Sequence, residues 1–145
     1  MQINGIAHVQ LSVSDLTRSR AFWAPLFELF EMKIVFDEET AFYGVGGRTG
    51  ICLSPASSGP FDQRRVGLHH LCFRLRSRED VDALHAFWVA RGVKIVRPPE
   101  EGSWAPGYYS VLCEDPDGIR VEANFVPGKG NLDAAVTLPK PLPKV

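Results

Sequence analysis

The chain has 145 residues, of which 45% are hydrophobic and 23% charged, and its formal net charge is −1. This composition is ordinary for a globular protein and allows one sizeable core. The charges are scattered, so no basic face favours nucleic acid, and no apolar stretch approaches the length of a membrane span. We therefore expect neither a nucleic-acid nor a membrane partner.

The cysteines bear on the cellular compartment. Cys52, Cys72 and Cys113 are odd in number and lack CxxC spacing. We interpret them as reduced, small apolar residues of a cytoplasmic protein. A catalytic thiol is the alternative, but no motif surrounds any of the three.

The first predicted elements are a strand and a helix. Apolar and polar residues alternate from Ile6 to Val13, which predicts a strand with His8 on its more polar face. Asp15, or the serine before it, can cap the helix that follows. Pro25 is expected to kink this helix or to end it early. Three short strands are then predicted over residues 33–36, 41–45 and 50–54.

The same series of elements recurs in the second half of the chain. A strand over residues 67–75 leads into a helix that begins at a Ser77 cap and stops at Gly92. Three further strands are predicted over residues 93–96, 108–114 and 118–125, with a turn, Asp-Pro-Asp-Gly, between the last two.

An internal repeat of this kind predicts an α+β fold built from two βαβββ modules, residues 1–58 and 67–126. The eight strands are expected to form a cupped mixed sheet with both helices outside. Residues 59–66 are the predicted linker, and the proline-rich residues 127–145 are a predicted extended or loosely docked tail.

Aligning the two copies places His8 and His70 at equivalent points, each on the more polar face of its strand. Glu122, in the last strand, interrupts an apolar run and points the same way as His70. A carboxylate there is costly unless it is paired or bound to a metal. Each residue alone is commonly an ordinary polar strand residue. Their coincidence at equivalent positions favours a divalent metal site of two histidines and one carboxylate, with coordination positions left open for substrate.

Two other residues, His69 and Ser54, are considered as ligands and are not included in this set. His69 falls on the apolar face by the same alternation, so it is the weaker candidate, and His69→Ala is expected to leave metal affinity nearly unchanged. Ser54 aligns with Glu122 and is a poor ligand, so we expect three protein ligands. Imidazole and carboxylate suit iron, manganese, nickel, cobalt and zinc alike, and the sequence leaves the metal open.

The repeat, the motifs at residues 5–13, 67–75 and 108–122, and the Asp-Pro-Asp-Gly turn resemble the vicinal oxygen chelate superfamily, which includes glyoxalases, bleomycin-resistance proteins and extradiol dioxygenases. The resemblance covers about residues 3 to 126. In that family the ligands come from the first and last strands of the modules, which corresponds to His8, His70 and Glu122. Glyoxalases use a fourth ligand where Ser54 stands. The resemblance of a set of three protein ligands is therefore closer to extradiol dioxygenases and fosfomycin-modifying enzymes.

The resemblance implies a small oxygen-rich substrate that binds the metal through vicinal oxygens, with isomerase, lyase or ring-cleaving dioxygenase chemistry. In the isomerase version Glu122 could also serve as a base. The alternative is a metal-free protein that sequesters a drug or metabolite, as bleomycin-resistance members do. The intact ligand set argues against that alternative.

The second copy is longer than the first between its histidine and its last strand, with a separation of 52 residues against 46. The additional residues lie within the segment Pro98–Gly107, which we expect to border the pocket as a rigid rim. Trp104, Tyr108 and Tyr109 are candidate substrate contacts. Packing of this loop on the sheet edge is the alternative.

Assembly into a homodimer is also expected. Members of the family often pair modules between chains, and half-barrels leave strand edges that need cover. The sequence does not decide whether the metal ligands come from one chain or from two.

Overall fold

The computed structural model describes residues 1–57, 59 and 61–133, so the predicted tail beyond residue 133 and part of the predicted linker lie outside the described residues. The elements are β1 (His8–Val13), α1 (Leu16–Leu29), β2 (Lys33–Glu38), β3 (Ala41–Gly46), β4 (Thr49–Pro55), β5 (Leu71–Arg74), α2 (Arg78–Ala90), β6 (Lys94–Gly102), β7 (Tyr108–Glu114) and β8 (Arg120–Phe125), followed by a short 3-10 helix at Gly130–Leu132. No helix within the described residues is long and apolar enough to cross a membrane.

The predicted fold of two βαβββ modules is confirmed, with the strands arranged as two four-stranded mixed sheets. The strand order is β1-β4-β3-β2 in the first sheet and β5-β8-β7-β6 in the second. In each sheet the first and last strands of the module run parallel as neighbours, and the other pairs are antiparallel. In the second module this places β8, which carries Glu122, beside β5, which His70 directly precedes.

The chain divides into two compact units. Among the described residues, the first consists of those up to residue 62 together with residues 116–118, and the second holds residues 63–115 and 119–133. The middle of the Asp-Pro-Asp-Gly turn thus belongs to the first unit, although it stands within the second half of the sequence.

The core of the first unit is aromatic. Trp23 and Phe27 of α1 are fully buried, and Phe27 stacks on Phe42 of β3 with ring centroids 5.4 Å apart. Gly44 allows this approach, because a Cβ at that position would lie 2.5 Å from the Phe27 ring.

Both helices start at predicted caps. The side chain of Asp15 accepts a hydrogen bond from the amide of Arg18 at 3.0 Å, and Ser77 accepts one from the amide of Asp80 at 3.0 Å. Pro25 does not end α1 early, because the helix continues to Leu29 and its last turns are held on the sheet by buried apolar residues.

The predicted loop over Pro98–Gly107 is only partly a loop. β6 continues to Gly102, since residues 100–102 pair with residues 108–110 of β7. The two prolines coincide with a shift of register between Arg97 and Glu100, where ladder hydrogen bonds are interrupted and proline is tolerated. The connection between the two strands is therefore confined to residues 103–107.

Candidate metal centre

The second unit brings two of the predicted ligands into contact. His70 directly precedes β5, and Glu122 lies within β8, which is hydrogen-bonded to β5. Nε2 of His70 lies 2.9 Å from Oε2 of Glu122. This is the distance of an ion pair or hydrogen bond, and it is also the distance of about 3 Å between two atoms that bind one ion at adjacent octahedral positions, each about 2.1 Å from it. The separation therefore fits two adjacent ligands of a single ion.

The second oxygen of the same carboxylate is held by the protein. Glu122 is 4% exposed, and its Oε1 accepts hydrogen bonds of 2.7 Å from the hydroxyl of Tyr108 and from Nη2 of Arg97. Arg97 reaches from β6 across β7, where the same nitrogen donates to Oγ of Ser110 at 2.9 Å. A buried carboxylate needs such partners. Sequence reasoning expected a partner for Glu122 but missed Arg97, which lies two strands away in the sheet.

These contacts determine the charge of the site. Burial by itself raises the pKa of Glu122, but hydrogen bonds from His70, Tyr108 and Ser110 and the charge of His70 outweigh it and bring the pKa to about 2. The carboxyl group is therefore ionised at neutral pH, which is the form that binds a cation. Burial raises the pKa of Tyr108, so its hydroxyl stays protonated and can donate.

Cys72 is the residue paired with Glu122 across the parallel strands β5 and β8. Desolvation and the adjacent carboxylate raise the pKa of its thiol to about 12. Because the thiolate is the nucleophilic form, Cys72 is not poised for nucleophilic attack at neutral pH.

The structure corrects the placement of His69. This residue is exposed, whereas alternation placed it on the apolar side facing the helix. Its Nδ1 lies 2.7 Å from Nδ1 of His70, and the two rings are 80° from coplanar. The prediction failed because β5 begins at Leu71, so the alternation of a strand does not extend to the two histidines before it.

His8 occupies the predicted face of its strand. It is the first residue of β1 and is exposed together with Gln10 and Ser12, whereas Leu11 and Val13 are buried. It belongs to the first compact unit, and its meeting with His70 and Glu122 stays a prediction. Within residues 1–57, 59 and 61–133, no three histidine, cysteine or acidic side chains are gathered as a metal site requires.

The register of the sheets changes the proposed equivalence of Ser54 and Glu122. Cys72, two residues after His70, pairs with Glu122, while Gln10, two residues after His8, pairs with Cys52. Cys52 is therefore the residue equivalent to Glu122. The predicted equivalent, Ser54, lies two residues further along the chain and is wrong. The hydroxyl of Ser54 instead accepts a hydrogen bond from Nε2 of Gln10 at 3.1 Å.

The three aromatic candidates are placed differently from one another. Tyr108 contacts Glu122, as described above. Tyr109 points to the other side of β7, where its hydroxyl donates to Oδ1 of Asp82 on α2 at 2.7 Å and its ring lies 3.9 Å from the guanidinium of Arg78. Tyr109 is thus removed from the face that carries Glu122.

Trp104 is half-buried in the connection between β6 and β7. Its carbonyl accepts a hydrogen bond from Nδ2 of Asn131 at 3.0 Å. A contact of Trp104 with substrate stays a prediction.

Comparison with known proteins agrees with the repeat and the fold. The profile of the Glyoxalase/Bleomycin resistance protein/Dioxygenase superfamily matches residues 5–123. The uncharacterised Bacillus subtilis protein YqjT is 32% identical over 122 residues, covering 79% of this chain and 94% of YqjT. Metallothiol transferase FosB of Shouchella clausii is 26% identical over 122 residues, covering 84% of this chain and 80% of FosB. The crystal structure of a candidate glyoxalase from Bacillus halodurans has a TM-score of 0.73 and 30% identity, covering 85% of this chain and 96% of that one.

Proposed function

This chain belongs to the glyoxalase, bleomycin resistance protein and dioxygenase superfamily, and we propose that it is a metal-dependent enzyme acting on a small oxygen-rich molecule. The observation that carries the proposal is the buried, ionised carboxylate of Glu122, 2.9 Å from Nε2 of His70. A protein that only sequesters a drug or metabolite has no need of such a pair. The pair therefore favours an enzyme over the metal-free binding alternative.

His8, His70 and Glu122 are the proposed ligands of one divalent ion of iron, manganese, nickel, cobalt or zinc. When bound, the ion would supply a Lewis acid that polarises vicinal oxygens of the substrate. Both oxygens of Glu122 already face partners, Oε1 facing Tyr108 and Arg97 and Oε2 facing His70, which supports the ligand role of this residue over the role of proton acceptor. The hydroxyl of Tyr108 keeps the carboxylate in place.

The proposed reaction is isomerisation, elimination by a lyase, or ring-cleaving dioxygenation, as the resemblance implies. A relative named metallothiol transferase supports a metal-dependent enzyme and adds group transfer to these classes. The cytoplasmic location expected from the cysteines stays a prediction.

Removal of the carboxylate tests the proposed site. We expect chelator-stripped protein to bind one Mn²⁺, Co²⁺ or Zn²⁺ per chain in calorimetric titrations. Glu122→Ala should weaken binding by more than about a hundredfold, because loss of a ligand costs more than loss of the partners around it. The same variant should also lose any catalytic activity. Glu39→Ala is the control, since this carboxylate is exposed in the turn between β2 and β3.

Two results would contradict the proposal. One is a wild-type protein that takes up no divalent ion after purification or in titration. The other is a Glu122→Ala variant that binds the ion as tightly as the wild type. Either would make the metal-free binding protein the better interpretation.

We also propose that two chains associate as a homodimer. β2 is an edge of the first sheet, and all six of its residues are exposed. Among them Ile34, Val35 and Phe36 are 42–49% exposed. Apolar side chains gathered at an uncovered strand edge favour a protein partner.

A further inference from the structure

The two oxygens of the Glu122 carboxylate face different partners. Oε2 lies 2.9 Å from Nε2 of His70, while Oε1 accepts two hydrogen bonds of 2.7 Å, from Tyr108 and Arg97. A carboxylate with both oxygens free can bind a cation through one of them or through both. We infer that Tyr108 and Arg97 are positioning residues that occupy Oε1 and present Oε2 alone to the metal ion. This inference rests on the proposed metal site.

The sheet places the two donors where this role requires them. Tyr108 and Ser110 stand two residues apart on β7 and therefore share the face to which Glu122 points from β8. Gly102, the strand partner of Tyr108, leaves room for the ring, because a Cβ there would lie 2.9 Å from it. Arg97 is steadied on its way to Glu122 by its hydrogen bond to Ser110.

The two donors differ in what they do to a cation. The tyrosine hydroxyl is neutral, so it orients the carboxylate without changing the charge of the site. The guanidinium of Arg97 orients the carboxylate too, but it also repels a cation bound to the other oxygen. Loss of the Tyr108 hydroxyl should therefore only weaken metal binding. Loss of Arg97 would weaken it by freeing the carboxylate and strengthen it by removing a positive charge. Tyr108 is the residue to test.

Tyr108→Phe removes one hydroxyl and keeps the ring that lies beside Gly102. The matched control is Tyr109→Phe, because the Tyr109 hydroxyl also donates to a carboxylate oxygen at 2.7 Å, but on the α2 side. Chelator-stripped proteins are titrated with Co²⁺, and binding is followed by calorimetry and by the visible absorption of the ion, which responds to its coordination number. We expect Tyr108→Phe to weaken binding about tenfold and to alter the spectrum. Tyr109→Phe should match the wild type in both.

A purely structural role of Tyr108 would lower the free energy of unfolding, measured in urea, without changing Co²⁺ affinity or its spectrum. If the wild type binds Co²⁺ and Glu122→Ala does not, that outcome overturns the positioning role of Tyr108. The proposed function then stands. If the wild type binds no Co²⁺, or Glu122→Ala binds it as tightly, the proposed function fails and the positioning role fails with it.

Discussion

His70 has a partner at each of its ring nitrogens. Nε2 faces Oε2 of Glu122, and Nδ1 lies 2.7 Å from Nδ1 of His69. A histidine that binds a metal usually hydrogen-bonds through its second nitrogen, which fixes the tautomer and the orientation of the ring. Here the partner is the preceding imidazole. His69 can therefore act on the site through His70, a role that the strand alternation did not suggest.

The contact reverses the expectation for His69→Ala. We now expect this variant to bind the divalent ion about tenfold more weakly, because the ring of His70 loses the partner that orients it. Competition with a chromophoric chelator measures the change. His85→Ala, which removes a histidine from the middle of α2, is the control. Equal affinities of His69→Ala and the wild type would restore the original expectation.

At the scale of elements, the start of α1 is held by a residue distant in sequence. Asp117, from the Asp-Pro-Asp-Gly turn, accepts hydrogen bonds from the amide of Ser14, at 2.7 Å, and from its hydroxyl. It also pairs with Nη2 of Arg18 at 2.6 Å, and its side chain is only 2% exposed. A carboxylate beside the first turn is also favoured by the helix dipole. The turn predicted to join two strands thus anchors a helix as well.

Asp117→Ala should lower the free energy of unfolding by about 2–3 kcal/mol, because the partly buried Ser14 groups lose their acceptor. Glu101→Ala is the control. It breaks a pair with Arg78, at 3.0 Å, but the side chains of Glu101 and Arg78 are 74% and 41% exposed. We expect it to cost less than about 1 kcal/mol. Urea denaturation measures both, and equal losses would show that burial of Asp117 does not decide its contribution.

At the scale of the whole molecule, the exposed apolar edge strand predicts assembly. Sizing with light scattering at micromolar concentration should give twice the chain mass of 16.1 kDa. Phe36→Lys should reduce the mass to that of one chain, because it places a charge in the middle of β2. Leu29→Lys is the control, since Leu29 is as exposed as Phe36, at 46%, but lies at the end of α1. A monomeric wild type would remove the dimer proposal.

Features that depend only on neighbouring residues can be predicted from the amino-acid sequence. The alternation of β1, the caps at Asp15 and Ser77 and the stop at Gly92 are local, and all of them are present in the structure. The two modules were predictable because the same order of strand and helix signals occurs in both halves of the chain. The pairing of Glu122 was also predictable, since a carboxylate on an apolar strand needs a partner wherever the chain supplies one.

The register of the strands and the partners of Glu122 become visible only in the folded chain. Because Gly50 and Gly118 both stand at the start of a predicted last strand, the sequence alignment treated them as equivalent residues. Gly118 instead lies in a turn with φ 86°, whereas Gly50 lies within β4 against the ring of Tyr43. Glycine is needed at the two positions for different reasons, so the alignment misplaced the equivalent of Glu122. Strand register and the approach of Arg97 to Glu122 arise from contacts between residues far apart in the chain, and no local pattern encodes such contacts.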